Sequence, residues 1–242
     1  MNNFFIDRAA DRRPVMAQSS GKTVFLDVIM ENTGADPIGD SKRIMSVQIG
    51  DSSKQDVFYA ESNTGDQSLF GALMQVNSLV AKNYTFVGHN LKGMELYFLR
   101  RFLNVSIPEY MVLDLRDQEG VMKLQQRPEK PLFKLEEVLS EYKIPLDYRL
   151  PIDANAELIR KKPEIVAQAD EAAKLISTSK GWSPEFSRQY ALNNIATGTA
   201  IKEAYDEFVQ KAGAKDTIYY KFATGDIVAE HKLLEALRKP PV

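Results

Sequence analysis

The sequence predicts an α/β fold. A mixed β-sheet, opened by a three-strand antiparallel meander and continued by parallel strands, is flanked by helices and followed by a helical second half. Three observations carry this reading. Short runs rich in β-branched and aromatic residues dominate the first half. Runs with apolar residues at three- and four-residue spacing first alternate with them and then take over. The composition, 44% hydrophobic and 26% charged over 242 residues, supplies a full-sized core.

The elements follow in order. Thr23 to Met30 (TVFLDVIM) reads as a buried strand, and the polar stretch after it, punctuated by Gly34, Pro37 and Gly39, as a loop. Arg43–Ile49 and Asp56–Ala60 form an antiparallel hairpin about the turn at 50–55. Leu69, Leu73, Val76 and Val80 mark a helix over 68–82 with Ser68 as its cap. A short strand, Tyr84–Val87, runs into Gly88-His89-Asn90; a helix over Met94–Leu103 and a strand over Tyr110–Leu115 complete the alternation. After a proline-bounded loop at 125–131, helices are expected near 132–142, 154–160, 163–177 and 184–210. Trp182, the single tryptophan, sits in the turn before the last of these and reads as a packing anchor. The tail adds a strand and a final helix. This gives a flexible N-terminal arm (1–21), one domain (22–212) and an extension (213–242) packed on the same domain.

Composition excludes several chemistries. With no cysteine, there is no disulfide, thiolate nucleophile or iron–sulfur cluster. Two histidines, His89 and His231, cannot build a multi-histidine metal site. The net charge of −2 (31 basic, 33 acidic) lacks the footprint of a non-specific nucleic-acid binder, so such a role needs a local basic patch. Lys92, Arg100 and Arg101 make one candidate patch and Arg160, Lys161 and Lys162 another; solvated helix faces explain both equally simply. No apolar run approaches the ~20 residues that span a bilayer, and the expected location is intracellular, with no membrane partner.

Three segments could carry chemistry. Asp27 lies inside the hydrophobic first strand, and alternation places Phe25, Asp27, Ile29 and Glu31 on one face. A carboxylate there is costly to bury unless it is paired, hydrogen-bonded or bound to a metal. Gly88-His89-Asn90-Leu91-Lys92-Gly93-Met94-Glu95 joins a strand to a helix, with Glu95 in the first helical turn, where the helix dipole favours an anion. Tyr190 and Asn194, four apart, share a helix face. Each has a plain structural alternative: loop hydrogen bonds for Asp27, a surface position for Glu31, turn formation for His89 and Asn90, helix-end stabilisation for Glu95, and packing for Tyr190.

In this order the segments resemble the three motifs of the DEDD 3′–5′ exonucleases, tyrosine branch, the group of ribonuclease D and polymerase proofreading domains on the ribonuclease H-like fold. The resemblance rests on Ile29-Met30-Glu31-Asn32-Thr33-Gly34, on His89-Asn90 followed by Met94-Glu95, and on Tyr190-x-x-x-Asn194. It implies a catalytic set of Asp27, Glu31, Glu95, Tyr190 and Asn194, with Asp27, Glu31 and Glu95 as ligands of Mg²⁺ or Mn²⁺. It implies substrate contacts from His89, Asn90 and Lys92. The departures from the pattern are marked. Asp27 and Glu31 are four residues apart, roughly 13 Å along an extended strand, and share one metal only if a bulge shortens the gap. Ile29 stands where a carboxylate is expected whether Asp27 or Glu31 sets the register, and Asn194 where aspartate is usual. The expectation is a degenerate exonuclease-like protein, weak or inactive, that binds single-stranded DNA or RNA or a protein partner, including a second copy as a homodimer, with no cofactor required. The alternative is an active metal-dependent 3′–5′ exonuclease with a rearranged carboxylate set.

Overall fold

The computed structural model describes residues 22–31 and 43–239. The N-terminal arm and the Asn32-Thr33-Gly34 segment lie outside the described residues. Five strands, β1 (Thr23–Met30), β2 (Ile44–Gly50), β3 (Gln55–Tyr59), β4 (Thr85–Gly88) and β5 (Val112–Asp114), form one sheet in the order β3-β2-β1-β4-β5. The β1–β2 and β2–β3 pairs are antiparallel, and β1–β4 and β4–β5 are parallel. The fold is thus α/β with a mixed sheet, as the strand and helix periodicities predict.

β1 is central and covered on both faces, which is why it reads as a nearly continuous apolar run. Val24, Leu26 and Val28 pack toward α1 (Leu69–Ala81) and α2 (Leu96–Leu103), meeting Ala72, Val76 and Leu99. Phe25 and Ile29 face the opposite layer. That layer holds α3 (Glu119–Gln125), α4 (Leu135–Glu141), α5 (Leu150–Ile159), α6 (Pro163–Lys180), α7 (Pro184–Gln210) and α8 (Ile218–Arg238).

Several elements differ from expectation. The helix over 94–103 is preceded by a π-type turn at Leu91–Glu95, and the strand over 110–115 is cut to three residues by a 3₁₀ turn after Pro108. The short helix α3 carries no sequence signal strong enough to separate it from its loops. The strand expected in the tail is absent: residues 218–238 are one helix, capped by Thr217, whose side chain accepts from the Tyr220 amide. Thr-Ile-Tyr-Tyr favours strand locally, but β-propensity spans only ~1 kcal/mol. As a helix the segment buries Tyr219, Phe222, Ile227, Leu233 and Leu234, each worth about 1.5–3 kcal/mol, and burial decides. α8 then lies against β1, β2 and β3.

Candidate functional site: a buried carboxylate cluster

Five acidic side chains converge where α8 crosses the sheet. β1 supplies Asp27, the turn after β4 supplies Glu95, and the end of β5 supplies Asp114. α8 supplies Asp226 and Glu230, four residues apart and therefore on one helix face. β1, β4 and β5 run the same way, so β4 and β5 end on the same edge, with Gly88 paired to Asp114. Glu95, Asp114, Asp226 and Glu230 are buried, while Asp27 keeps partial contact with solvent.

Each carboxylate has a distinct set of partners. The Glu95 carboxyl shares a hydrogen bond with Asp27. Gln48, opposite Asp27 on β2, donates its amide to Asp27 Oδ2 (3.2 Å) and to the Asp27 carbonyl (2.9 Å) in the orientation that satisfies both of its ends. Asp114 accepts three backbone amides: Asn90 (2.9 Å), Lys92 (2.9 Å) and Arg116 (2.9 Å). Glu230 Oε1 accepts the His89 amide at 2.8 Å. Asp226 Oδ1 accepts from the Tyr148 hydroxyl at 2.6 Å and lies 3.6 Å from Arg149 Nη1. Glu95 Oε2, Glu230 Oε2 and His89 Nε2 are buried without a hydrogen-bond partner.

Packing acids together favours protonated forms. Burial, then the charge of Asp226, pushes the Asp27 carboxyl up to about 7. Burial, then the charge of Asp27, raises both Glu95 and Glu230 well above the carboxylate range. Burial also raises Asp226, with Arg149 and the Tyr148 hydroxyl pulling it back. Burial raises Asp114 against the pull of its three amides. His89 moves the other way, down to about 4, because burial and the nearby Arg116 disfavour its cation. Every carboxyl of the cluster is thus shifted toward its protonated form and His89 toward its neutral form, an arrangement that favours hydrogen bonding among them.

The residues singled out in the sequence divide into two groups. Asp27, His89, Asn90, Lys92 and Glu95 lie in or beside the cluster. Asn90 adopts a left-handed conformation (φ 66°), and its Oδ1 accepts from Arg116 Nη1 at 2.5 Å. A Cβ at Gly93 would crowd that Oδ1, so a larger residue there would have to push the Asn90 side chain from its place beside Arg116. The Lys92 ammonium pairs with Asp117 at 2.7 Å. Glu31, Tyr190 and Asn194 lie elsewhere. Glu31 joins Arg43 (2.6 Å), which also holds Glu61 (2.6 Å). The register shift at Ile29/Met30 skips Met45 on β2, so the extra residue sits on β2 and β1 is not shortened between Asp27 and Glu31. Ile29 packs against the apolar cluster built on α5–α8. Tyr190 stacks edge-on against Trp182 (5.3 Å), and Asn194 donates to the Tyr190 carbonyl within the same helix (2.9 Å). α7 meets the sheet four turns later, where the Tyr205 hydroxyl reaches the Met45 carbonyl, roughly 22 Å along the helix axis.

Sequence reasoning missed Asp226 and Glu230. The available signal was their register: both lie on the stripe of α8 that carries Phe222, Ala223, Ile227, Leu233 and Leu234, where a solvated acid is out of place.

As arranged, these donors do not fit a pair of dications. Asp114 already accepts three amides, Asp226 is held by a phenol and a guanidinium, and Asp27 and Glu95 are hydrogen-bonded to each other. Among the described residues, no group of three or more acidic or histidine side chains is set to hold a metal ion. Comparison with family models, curated proteins and solved structures finds no match.

Proposed function

We propose that the chain is an exonuclease-like module with a degenerate acidic site, weak or inactive as a nuclease, that binds single-stranded nucleic acid. The observation that carries this reading is the engagement of Asp226 and Asp114 by protein donors. Hard dications depend on free carboxylate charge, and two-metal hydrolysis needs that charge on both sides of the scissile phosphate.

Binding is supported by the groups at the strand ends beside the cluster. The Arg116 guanidinium lies 5.8 Å above the ring of Phe133, which is 48% exposed, and bonds Asn90. Lys92 stands on the same turn, and Tyr97, 47% exposed, lies on α2 with Arg101 over its ring. Exposed aromatic faces interleaved with cations are the components of single-strand recognition. The test is fluorescence anisotropy of labelled single-stranded DNA and RNA across a salt series, for the native chain and for Arg116→Ala and Phe133→Ala. The reading expects affinity that falls with salt and weakens about tenfold or more in either variant, the loss of one stacking or charged contact. Salt-independent or absent binding removes it.

A second reading, a protein-interaction module, is supported by the helical segment between Pro145 and Ser187. Leu150, Leu158, Leu175 and Phe186 are each 56–69% exposed there. It gains if oligonucleotides fail to bind and the chain associates with itself.

A further inference from the structure

We propose that Tyr148 and Arg149 form an intramolecular clamp on Asp226 that takes the place of a bound cation and closes the carboxylate cluster to divalent metal ions. The clamp rests on the chain's own contacts and is independent of nucleic-acid binding.

Four features build it. The Tyr148 hydroxyl donates to Asp226 Oδ1 at 2.6 Å, and Arg149 Nη1 lies 3.6 Å from the same oxygen and 3.7 Å from Glu136 Oε2. The Arg149 side chain is only 18% exposed and its guanidinium lies 5.4 Å over the ring of Phe222, one turn before Asp226 on α8. Burying a guanidinium is costly unless acids face it; here Asp226, Glu136 and Asp153 do. Finally, α8 is shaped to admit the clamp. A Cβ at Gly225 would stand 2.2 Å from Tyr148 Cδ2 and 2.4 Å from Cγ, so the ring lies where any other residue would place its side chain. Glycine inside a helix is unfavourable by itself, and the close approach of Tyr148 gives it a purpose.

The same guanidinium acts on both Asp27 and Asp226. It thus supplies positive charge to the β1 and α8 acids together, the service a bridging metal would render. A metal approaching Asp226 must displace Arg149 and Tyr148 and overcome repulsion from the guanidinium.

The experiment is Mn²⁺ titration by isothermal calorimetry, with melting temperature measured in parallel, on the full chain. The native protein should show no saturable Mn²⁺ binding in the millimolar range. Arg149→Met with Tyr148→Phe should bind Mn²⁺ at least tenfold more tightly than native, and adding Asp226→Asn should abolish the gain. Gly225→Ala, which leaves every charge in place and evicts the Tyr148 ring, should produce part of the same gain. Native binding equal to that of the clamp variants overturns the proposal, as does a folded clamp variant that gains no binding. If Arg149→Met folds poorly, a double-mutant cycle decides. Arg149→Met alone should lower the melting temperature by roughly 5–10 °C, and Asp226→Asn in the same chain should restore most of it. Additive losses contradict the clamp.

Discussion

Glu230, on the last helix, accepts the backbone amide of His89 at 2.8 Å across 141 residues of sequence. This bond ties α8 to the end of β4, and it does so inside a cluster where acids outnumber cations. It explains how a helix from the end of the chain becomes part of the same site as the first strand.

The bond separates two roles of Glu230. Glu230→Gln keeps an acceptor for His89 and removes a charge from a buried acidic site, so stability at pH 8 should equal or exceed that of the native chain. Glu230→Leu leaves the His89 N–H unpaired and should cost about 1–3 kcal/mol. Urea unfolding of the two variants measures the difference.

Stability should fall toward alkaline pH. Asp27 is pushed up to about 7 from 3.8, so the folded chain keeps a proton that the unfolded chain has lost. That contribution is complete below pH ~4 and is lost as pH rises through ~7. Glu95, Asp114, Asp226 and Glu230 are raised too and act in the same sense. His89, lowered from 6.5 to about 4, opposes them: its contribution is present above 6.5 and is lost as pH falls through 4. With five raised acids against one lowered imidazole, the melting temperature should decline from pH 5 to pH 8. Asp27→Asn should shrink the decline; a native chain more stable at pH 8 than at pH 5 contradicts this.

Asp114 should behave as a structural residue. Asp114→Ala strands three backbone amides, at Asn90, Lys92 and Arg116. The expected cost is about 2–4 kcal/mol, with faster amide hydrogen exchange confined at first to those three positions.

Tyr190 and Asn194 should be neutral for the acidic site. Asn194→Asp should create no Mn²⁺ affinity, because the residue bonds its own helix about three turns from the point where α7 meets the sheet. Tyr190→Ala should lower stability through lost contact with Trp182, by about 1–3 kcal/mol, and leave oligonucleotide affinity unchanged.

These contrasts show what is legible in a single sequence. β1 spans Thr23–Met30 and α7 Pro184–Gln210, as the sequence predicts, because strand alternation, β-branching and proline at the first helical turn are local signals. Ser68 caps α1 by accepting from the Gly71 amide, again a local device. Helix spacing is local as well, and here it misleads. Tyr190-x-x-x-Asn194 specifies a shared helix face but not which helix reaches the sheet, which tertiary packing alone decides. Asp226 and Glu230 look like any solvated i, i+4 acid pair until the apolar stripe on which they lie is traced along α8. The clamp is still less visible, since Tyr148 and Asp226 are 78 residues apart.

The most direct test of a degenerate acidic site is a 3′–5′ degradation assay. Labelled single-stranded DNA and RNA are incubated with Mn²⁺, Mg²⁺ or EDTA and the native chain, beside an Asp27→Ala, Glu95→Ala double variant. The account predicts intact substrate in every lane from protein shown to be folded. Metal-dependent trimming by the native chain that disappears in the double variant would contradict it and show that the rearranged carboxylates suffice for catalysis.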